Sequence, residues 1–526
     1  MKKLVFFLVL LSFIFTVKAG YVVRGVFLST EPNGLTNYTL TFDGSGNHVS
    51  AGSMHSTLGG GSGKNSIVIV HADPSLGDFI FPVIFPGDYD IEVRDFHYIA
   101  STNNYALCGF RKTTYGGFAF VAVIDGNFTT MVYNEYTDAE IFYSIWADNP
   151  ISPIYPQFDF YVCGSKDDKG VIASIDRATL QIMRFVKTDI PWVYHKIIAK
   201  QNADNSLNFV ASGRNLLCDS IGFTVVNRQL TTSRNYSWEQ ATESESNCVV
   251  SENLLLDNSI ILASSYKQIA TMYPVTFPLS PSAQISAYRF FPHHVRDIRI
   301  YVQDIGTILV NNNISISLAG YAGGNVFVQS SAWLGNIMGL SSTSNVQNNH
   351  YYGAVDSKYK HYKVRYNNGE TYTGGNFQDD LTMSFLFGSP LKIAPTCDYI
   401  YTSPIIVDFH TWSSFGISQH LPSIHPVDTF YHDDAFILFY EHCEILKGKS
   451  SPEYAMLLPE RESEITNFYD RITVKDKPSG TNYQIYTVTG QLIQTGTTNP
   501  EINTANLSKG MYILRLETGK AVKFVK

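Results

Sequence analysis

Five of the chain's 14 histidines, His410, His420, His425, His432 and His442, fall in one short stretch. Asp408, Asp428, Asp433, Asp434 and Glu441 accompany them. Imidazoles and carboxylates hold zinc or a similar ion when loops bring three of them together. No His-Glu-x-x-His spacing and no cysteine pair supports such a site, so scattered surface side chains are the expected arrangement. His293-His294 beside Arg296 and Asp297 reads the same way. Gly59-Gly60-Gly61-Ser62-Gly63-Lys64-Asn65 is close to a phosphate-binding loop, but Leu58 stands where the first glycine belongs. Asn65 replaces the Ser or Thr that would hold magnesium, leaving a flexible hairpin loop as the better reading. Asp125 and Asp176 occupy the same turn of two successive repeats, where an Asp side chain bonds its own backbone. The sequence therefore assigns no catalytic residue, no metal ligand and no cofactor.

The thiols are the next candidates for chemistry. Six cysteines permit disulfides if the chain is exported, for which its two ends carry the signals set out below. Cys108 and Cys163 hold equivalent places on inner strands and read as small buried hydrophobes. Cys218 with Cys248, and Cys397 with Cys443, lie nearer to loops and are the two pairs placed to bridge. Tyr143, Trp146, Tyr155, Trp192, Tyr194, Trp238, Trp333 and Trp412 fall in or beside inter-strand segments. There they offer flat faces to sugars or peptides, although packing between sheets is the commoner use of such rings.

These side chains need elements to carry them, and composition says which kind. Aromatic residues make up 14% of the 526 and charged residues 16%, against roughly 25% charged in an average soluble protein. That balance suits β-structure. A net charge of -8 and a pI near 6.0 lack the basic stripe that a nucleic-acid partner requires.

A small residue followed by glycine, or by a second small residue, recurs as Ala51-Gly52, Cys108-Gly109, Cys163-Gly164, Ser212-Gly213, Ser264-Ser265, Ala319-Gly320 and Thr373-Gly374, at intervals of 49 to 57 residues. Each unit reads as four short strands joined by hairpins, with Asn, Asp or Gly turns such as Thr102-Asn103-Asn104. One such sheet cannot cover its two partly apolar faces, whereas a radial stack can. The expected fold is all-β: a β-propeller over 20–450 with seven blades, in a range of six to eight. The small residues would let backbones approach where blades converge. A solenoid of β-arches is the competing architecture. The period exceeds the ~40 to 45 residues of WD repeats, and no named propeller family matches. Val22 to Leu28, or else Phe436 to Phe439, would complete the last blade.

The ends of the chain carry different signals. Lys2-Lys3, an apolar core from Leu4 to Val17 and Val17-Lys18-Ala19 form a secretory signal over 1–19, with cleavage between Ala19 and Gly20. A charged linker spans 451–465, and from 466 the period is lost. Alternating runs at Tyr469 to Val474, Tyr483 to Val488, Met511 to Leu516 and Ala521 to Val525 predict a small C-terminal β-sandwich. Val488-Thr489-Gly490-Gln491-Leu492-Ile493, then Leu507-Ser508-Lys509-Gly510-Met511-Tyr512-Ile513-Leu514, and the final Lys520 to Lys526 together resemble the C-terminal sorting domain of type IX secretion cargo. Gly490, Gly510, Tyr512, Lys523 and Lys526 match the family's pattern. Its usual Tyr-Pro-Asn-Pro lead-in is replaced by Thr466-Asn467-Phe468-Tyr469.

The resemblance covers 466–526 and implies a route: export to the periplasm, recognition by the type IX machinery at the outer membrane, then release or attachment at the outer surface of a Gram-negative cell. It says nothing of the ring's task. A binding or adhesion module for a glycan or protein ligand on the loops ranks first. A polysaccharide-directed hydrolase with its site at the channel mouth ranks second, and a structural part of the cell-surface layer third.

Overall fold

The computed structural model describes residues 24–28, 35–56, 64–73, 78–79, 83–85, 90–114, 116–147, 159–202, 204, 206–217, 220–231, 233–239, 247–266, 269–290, 298–324, 327–338, 346–352, 358–367, 370–378, 382–390, 400–403, 405–410, 412–423, 427–431, 433–434, 438–441, 465–468, 471–474, 482–487, 491–497, 501–504, 506–508, 511–516 and 521–525. Among these there is no helix, and every strand pairing is antiparallel. The chain divides into two compact units, Met1–Lys447 and Gly448–Lys526.

The first unit is a β-propeller, and its pairings resolve into four-stranded groups. The second group shows the logic: Asp90–Ile99, Asn104–Thr113, Gly116–Asp125 and Thr130–Tyr136 pair in chain order through tight turns. The turns form where the sequence supplies the chemistry. Asp125 accepts from the backbone N–H of Thr129 at 2.7 Å and of Thr130 at 2.5 Å, and Asp176 accepts from Thr179 N–H at 2.7 Å. Both carboxyls are thereby held below the usual carboxylate range, the bonds outweighing partial burial at Asp125 and led by the Thr179 hydroxyl at Asp176. They are turn formers, as expected.

Two features depart from a simple stack of hairpins. Ile182–Gln201 is one long strand serving two groups. Its first half pairs Lys169–Ile175 and its second half pairs Leu207–Asn215. Arg24–Leu28 supplies the fourth strand of the last group by pairing Thr382–Pro390, the place expected of Val22 to Leu28. First strands pack against first strands in a cycle. Leu35–Phe42 meets Asp90–Ile99, and the contacts continue through Ile141–Ala147, Ile182–Gln201, Val249–Glu252, Ile298–Val310 and Lys358–Asn367 back to Leu35–Phe42. Between groups lie apolar clusters, such as Cys108, Val121, Phe142, Val162 and Ala173.

The recurring small residues and glycines all lie on second strands. The small residues do let neighbouring groups approach, Cys108 Sγ donating to Phe142 O at 3.6 Å and the Ser212 hydroxyl to Cys248 O at 3.0 Å, while the glycines beside them have a second reason within their own sheet. Opposite them the first strand carries a bulge, between Val93 and Asp95 in the second group and between Phe142 and Ser144 in the third. The bulge drives a carbonyl at the facing backbone: a Cβ on Gly164 would sit 1.8 Å from Ile141 O, and on Gly109 2.0 Å from Glu92 O. In the last group the bulge faces Gly374-Gly375, so the structural pair is one residue later than Thr373-Gly374. Between Val249–Glu252 and Ser259–Tyr266 the pairing has no bulge, and there serines suffice.

A further strand-forming segment follows the last group. Ile400–Ser403 pairs Val346–Tyr352, and Ile405–His410 pairs Ile285–Phe290. Ser413 bridges Ser237, Ile417–His420 pairs Ile182–Gln201, and Val427–Tyr431 pairs Thr130–Tyr136. Asp433–Asp434 pairs Val83–Phe85, and Leu438–Glu441 pairs Arg24–Leu28. This belt visits the groups in reverse order and adds a strand or bridge at the outer edge of each. Edge strands otherwise present unpaired N–H and C=O groups, a template for aggregation that the belt covers.

In the second unit Ile465–Phe468, Arg471–Val474 and Glu501–Asn503 form one sheet. Leu492–Thr497, Asn482–Thr487, Met511–Leu516 and Ala521–Val525 form another. Tyr483, Ile485, Ile502, Leu507, Tyr512 and Leu514 make its core.

Candidate functional site

The residue that follows each bulge pairs with the small residue of the second strand: Thr39 with Ala51, Asp95 with Cys108, Ser144 with Cys163, Lys196 with Ser212, Asp304 with Ala319, and Lys363 with Gly374. All six are buried. Because the first strands touch in a cycle, these side chains from different groups meet at the centre of the ring.

What meets there is an ionic network. Asp304 Oδ1 accepts from Lys196 Nζ at 2.5 Å, and its Oδ2 accepts from Val364 N–H at 3.1 Å and from Arg365 at 3.0 Å. Lys196 also donates to Ile305 O at 2.6 Å. Asp95 Oδ1 lies 3.2 Å from Lys363 Nζ and 3.4 Å from the Arg365 guanidinium, while its Oδ2 accepts from the Ser144 hydroxyl at 2.6 Å and Ile145 N–H at 3.1 Å. Arg365 thus spans both carboxylates. Removing ions from water is costly unless they are paired and hydrogen-bonded, and here every carboxylate oxygen is engaged.

The electrostatics follow from three cations around two carboxylates. Burial would raise both Asp carboxyls, but Lys363 and Arg365 hold Asp95 well below the usual range, and Lys196 with those two lowers Asp304. Burial pushes Lys196 down to about 8, and Arg365 and Lys363 push the same way against the pull of Asp304. His97 is lowered to about 4, by burial first, so its imidazole is neutral at neutral pH. A general acid for glycoside cleavage needs a carboxyl held protonated near neutrality. Neither axial Asp meets that need.

The bulge residues form a second chain of contacts about the same centre. The Arg94 guanidinium lies 5.7 Å from the Tyr143 ring centroid, and Tyr143 meets His195 edge-on at 5.5 Å. His195 Nδ1 accepts from Cys248 N–H at 3.2 Å, which fixes the ring proton on Nε2. Asn247, next to Cys248, donates to Gln303 at 3.2 Å. Burial, with Arg214 nearby, keeps His195 neutral.

Of the residues singled out in the sequence, few meet. His410 lies on the belt strand beside Ile285–Phe290, and His420 is exposed opposite Phe185. Asp428, Asp433 and Glu441 pair with three further groups. His425, His432, His442 and the 293–297 run lie outside the described residues. Among the described residues no three His, Cys, Asp or Glu side chains are placed to hold a metal. The glycine-rich loop 59–63, Ala19 and Gly20 also lie outside them.

The Cys218–Cys248 bridge is corrected. Cys248 is a free thiol buried between sheets, its Sγ donating to Gly222 O at 3.8 Å, and it faces a neighbouring strand rather than a loop. Cys218, Cys397 and Cys443 lie outside the described residues. Cys108 and Cys163 are free and buried, and burial pushes both thiols up, away from reactivity. Trp192, Tyr194 and Trp238 are packed inside. Trp146 rests on Tyr161 and Phe209, and Trp412 on Tyr236. Tyr155 lies outside the described residues, and Trp333 is placed on the strand Phe327–Met338.

In the second unit Tyr512 is buried and donates to Ser508 O at 2.8 Å, and Lys523 pairs with Ile513 on the last strand. Gly490, Gly510 and Lys526 lie outside the described residues. The axial residues were missed by sequence reading. Their signal was a charged residue inside an apolar strand, at a fixed place before the hairpin leading to the small pair.

Comparison with known proteins adds one family and several folds. Residues 468–526 match the family described as secretion system C-terminal sorting domain. Part of the chain is similar to the NanB sialidase of Streptococcus pneumoniae, at 10% identity over 72% of this chain and 69% of that one, with a TM-score of 0.37. It is similar to the Dos1 propeller at 8% identity over 70% of this chain and 95% of that one, TM-score 0.38. It is also similar to Sqt1 from Chaetomium thermophilum at 8% identity over 69% and 97%, TM-score 0.35. At such identities nothing about activity passes to this chain. No curated protein matches it.

Proposed function

We infer that this chain, whose residues 468–526 are a type IX C-terminal sorting domain, delivers a binding or adhesion propeller to the outer surface of a Gram-negative cell or to its surroundings. The sorting domain carries the reading, because a dedicated export tail has use only where the cargo works outside the cell. The signal sequence at 1–19 and cleavage at Ala19-Gly20 complete that route. The closed cycle of first strands supports seven blades over 20–450, with 451–465 as the connection to a tail beginning at 466.

The ring's role as a binding module rests on two observations. Its axial carboxylates are paired with cations and held ionised, which suits recognition better than acid–base cleavage. Its turns and loops differ in sequence from group to group while the sheets repeat, so the variable surface is where a glycan or protein ligand would be distinguished. Lys523 on the terminal strand, with Gly490, Gly510, Tyr512 and Lys526, are the positions through which the type IX machinery would recognise the tail.

Deleting 466–526 in the native host tests the route: the protein should be retained in the periplasm, and undiminished surface delivery would refute it. Purified protein tested on arrays of glycans and extracellular matrix proteins tests the module, with specific retention as the expected result. Failure on every array, together with release of reducing sugar from a polysaccharide panel, would replace binding with hydrolysis. Failure of both assays with co-purification of envelope proteins would leave the surface-layer role.

A further inference from the structure

The axial network does not balance. Lys196, Lys363 and Arg365 bring three positive charges to Asp95 and Asp304, which bring two negative ones, so one positive charge is left over. His97, neutral beside them, adds none. The donors are in surplus as well. Lys363 has three N–H groups and contacts only Asp95, with its side chain 9% exposed. Lys196 spends two of its three on Asp304 and Ile305 O. Arg365 spends its NH1 donors on Asp304 and Val364 O and one NH2 donor on Asp95, leaving Nε–H and a second NH2 donor. Every acceptor oxygen of the two carboxylates is already taken. Among the described residues no further acceptor reaches these cations.

A buried positive charge with unused N–H donors is costly, and an anion relieves both defects at once. We propose that the centre of the ring binds a monovalent anion, either a free ion or the carboxylate of a larger ligand, held by Lys363, Arg365 and Lys196. Arg365, with its side chain 22% exposed, is the most open of the three and marks the side from which the anion arrives. Low-dielectric walls around this surplus positive charge concentrate its field. The inference stands apart from the surface-binding reading, since it concerns the core of the ring rather than its loops.

Bromide and acetate are suitable probes. Crystals of the full chain grown in sodium bromide should show an anomalous peak within hydrogen-bonding reach of Lys363 Nζ and Arg365. Calorimetric titration with acetate at neutral pH should show saturable binding that weakens at least about tenfold in Lys363→Met and in Lys196→Met, each of which removes the surplus charge. Binding should also fade as the pH rises through about 8, where Lys196, faced by Asp304, Arg365, Lys363 and His97, gives up its proton. Bromide alone would identify a free-ion site, and acetate with bromide a site open to ligand carboxylates. No anomalous peak and no acetate binding in the wild-type chain would overturn the proposal whether or not the variants fold. Equal acetate affinity in wild type and both variants would do the same.

Discussion

At the scale of single residues, the bulged first strands explain both the glycines and the charges. Gly164→Ala would place a methyl 1.8 Å from Ile141 O, on backbone that the bulge fixes. We expect a loss of about 1–3 kcal/mol in urea unfolding. Asp304→Asn removes one carboxylate from a network of three cations and should cost about 3–5 kcal/mol, because it strands buried positive charge. Protonation has a definite sign here. Asp95 and Asp304 have folded values below their unfolded ones, so the stability they contribute is complete above roughly pH 4 and is lost as the pH falls through the lower folded values. Lys196 is depressed too. Its contribution is complete above its unfolded value and is lost as the pH falls toward and through about 8. Urea midpoints measured across pH should therefore rise on the alkaline side in wild type and stay flat there in Lys196→Met.

At the scale of elements, the belt is the feature with the largest consequence for folding. Its partners lie far back in the chain: Val427–Tyr431 pairs with Thr130–Tyr136, and Leu438–Glu441 with Arg24–Leu28. Such non-local pairs form late, once the sheets they join exist. Replacing Val427–Tyr431 with a Gly-Ser stretch of equal length removes five cross-strand pairs. At roughly 0.2–1 kcal/mol each, the loss should be about 1–5 kcal/mol. The effect should be local, with hydrogen-exchange protection falling for Thr130–Tyr136. Protection that stays unchanged there would show that the belt does not stabilise that edge.

At the scale of the whole molecule, the division into Met1–Lys447 and Gly448–Lys526 matches a division of labour between a working ring and an export tail. A chain ending at Lys447 should keep the ring's own unfolding transition, within about a degree of its place in the full chain, and lose only the smaller one. Scanning calorimetry of the two chains decides this, and a collapse of the main transition would show that the tail supports the ring.

The sequence by itself determined the repeat, the strand content, the turn role of Asp125 and Asp176 and the sorting tail, because each is written in local patterns: a period, an alternation, a turn residue, a terminal motif. The buried thiols Cys108 and Cys163 were legible too, since their counterparts at the same place in other repeats are only small. Tertiary structure alone decided the rest. The histidines near the end of the ring look like a cluster in one dimension, yet the two that are described, His410 and His420, lie on belt strands that pair with different groups. Asp95, Lys196, Asp304 and Lys363, spread over most of the ring's length, look unrelated in one dimension and meet at its centre. Sequence separation carries little information about distance once a ring closes, because closure joins the same position of every repeat while a belt draws neighbours in the chain apart.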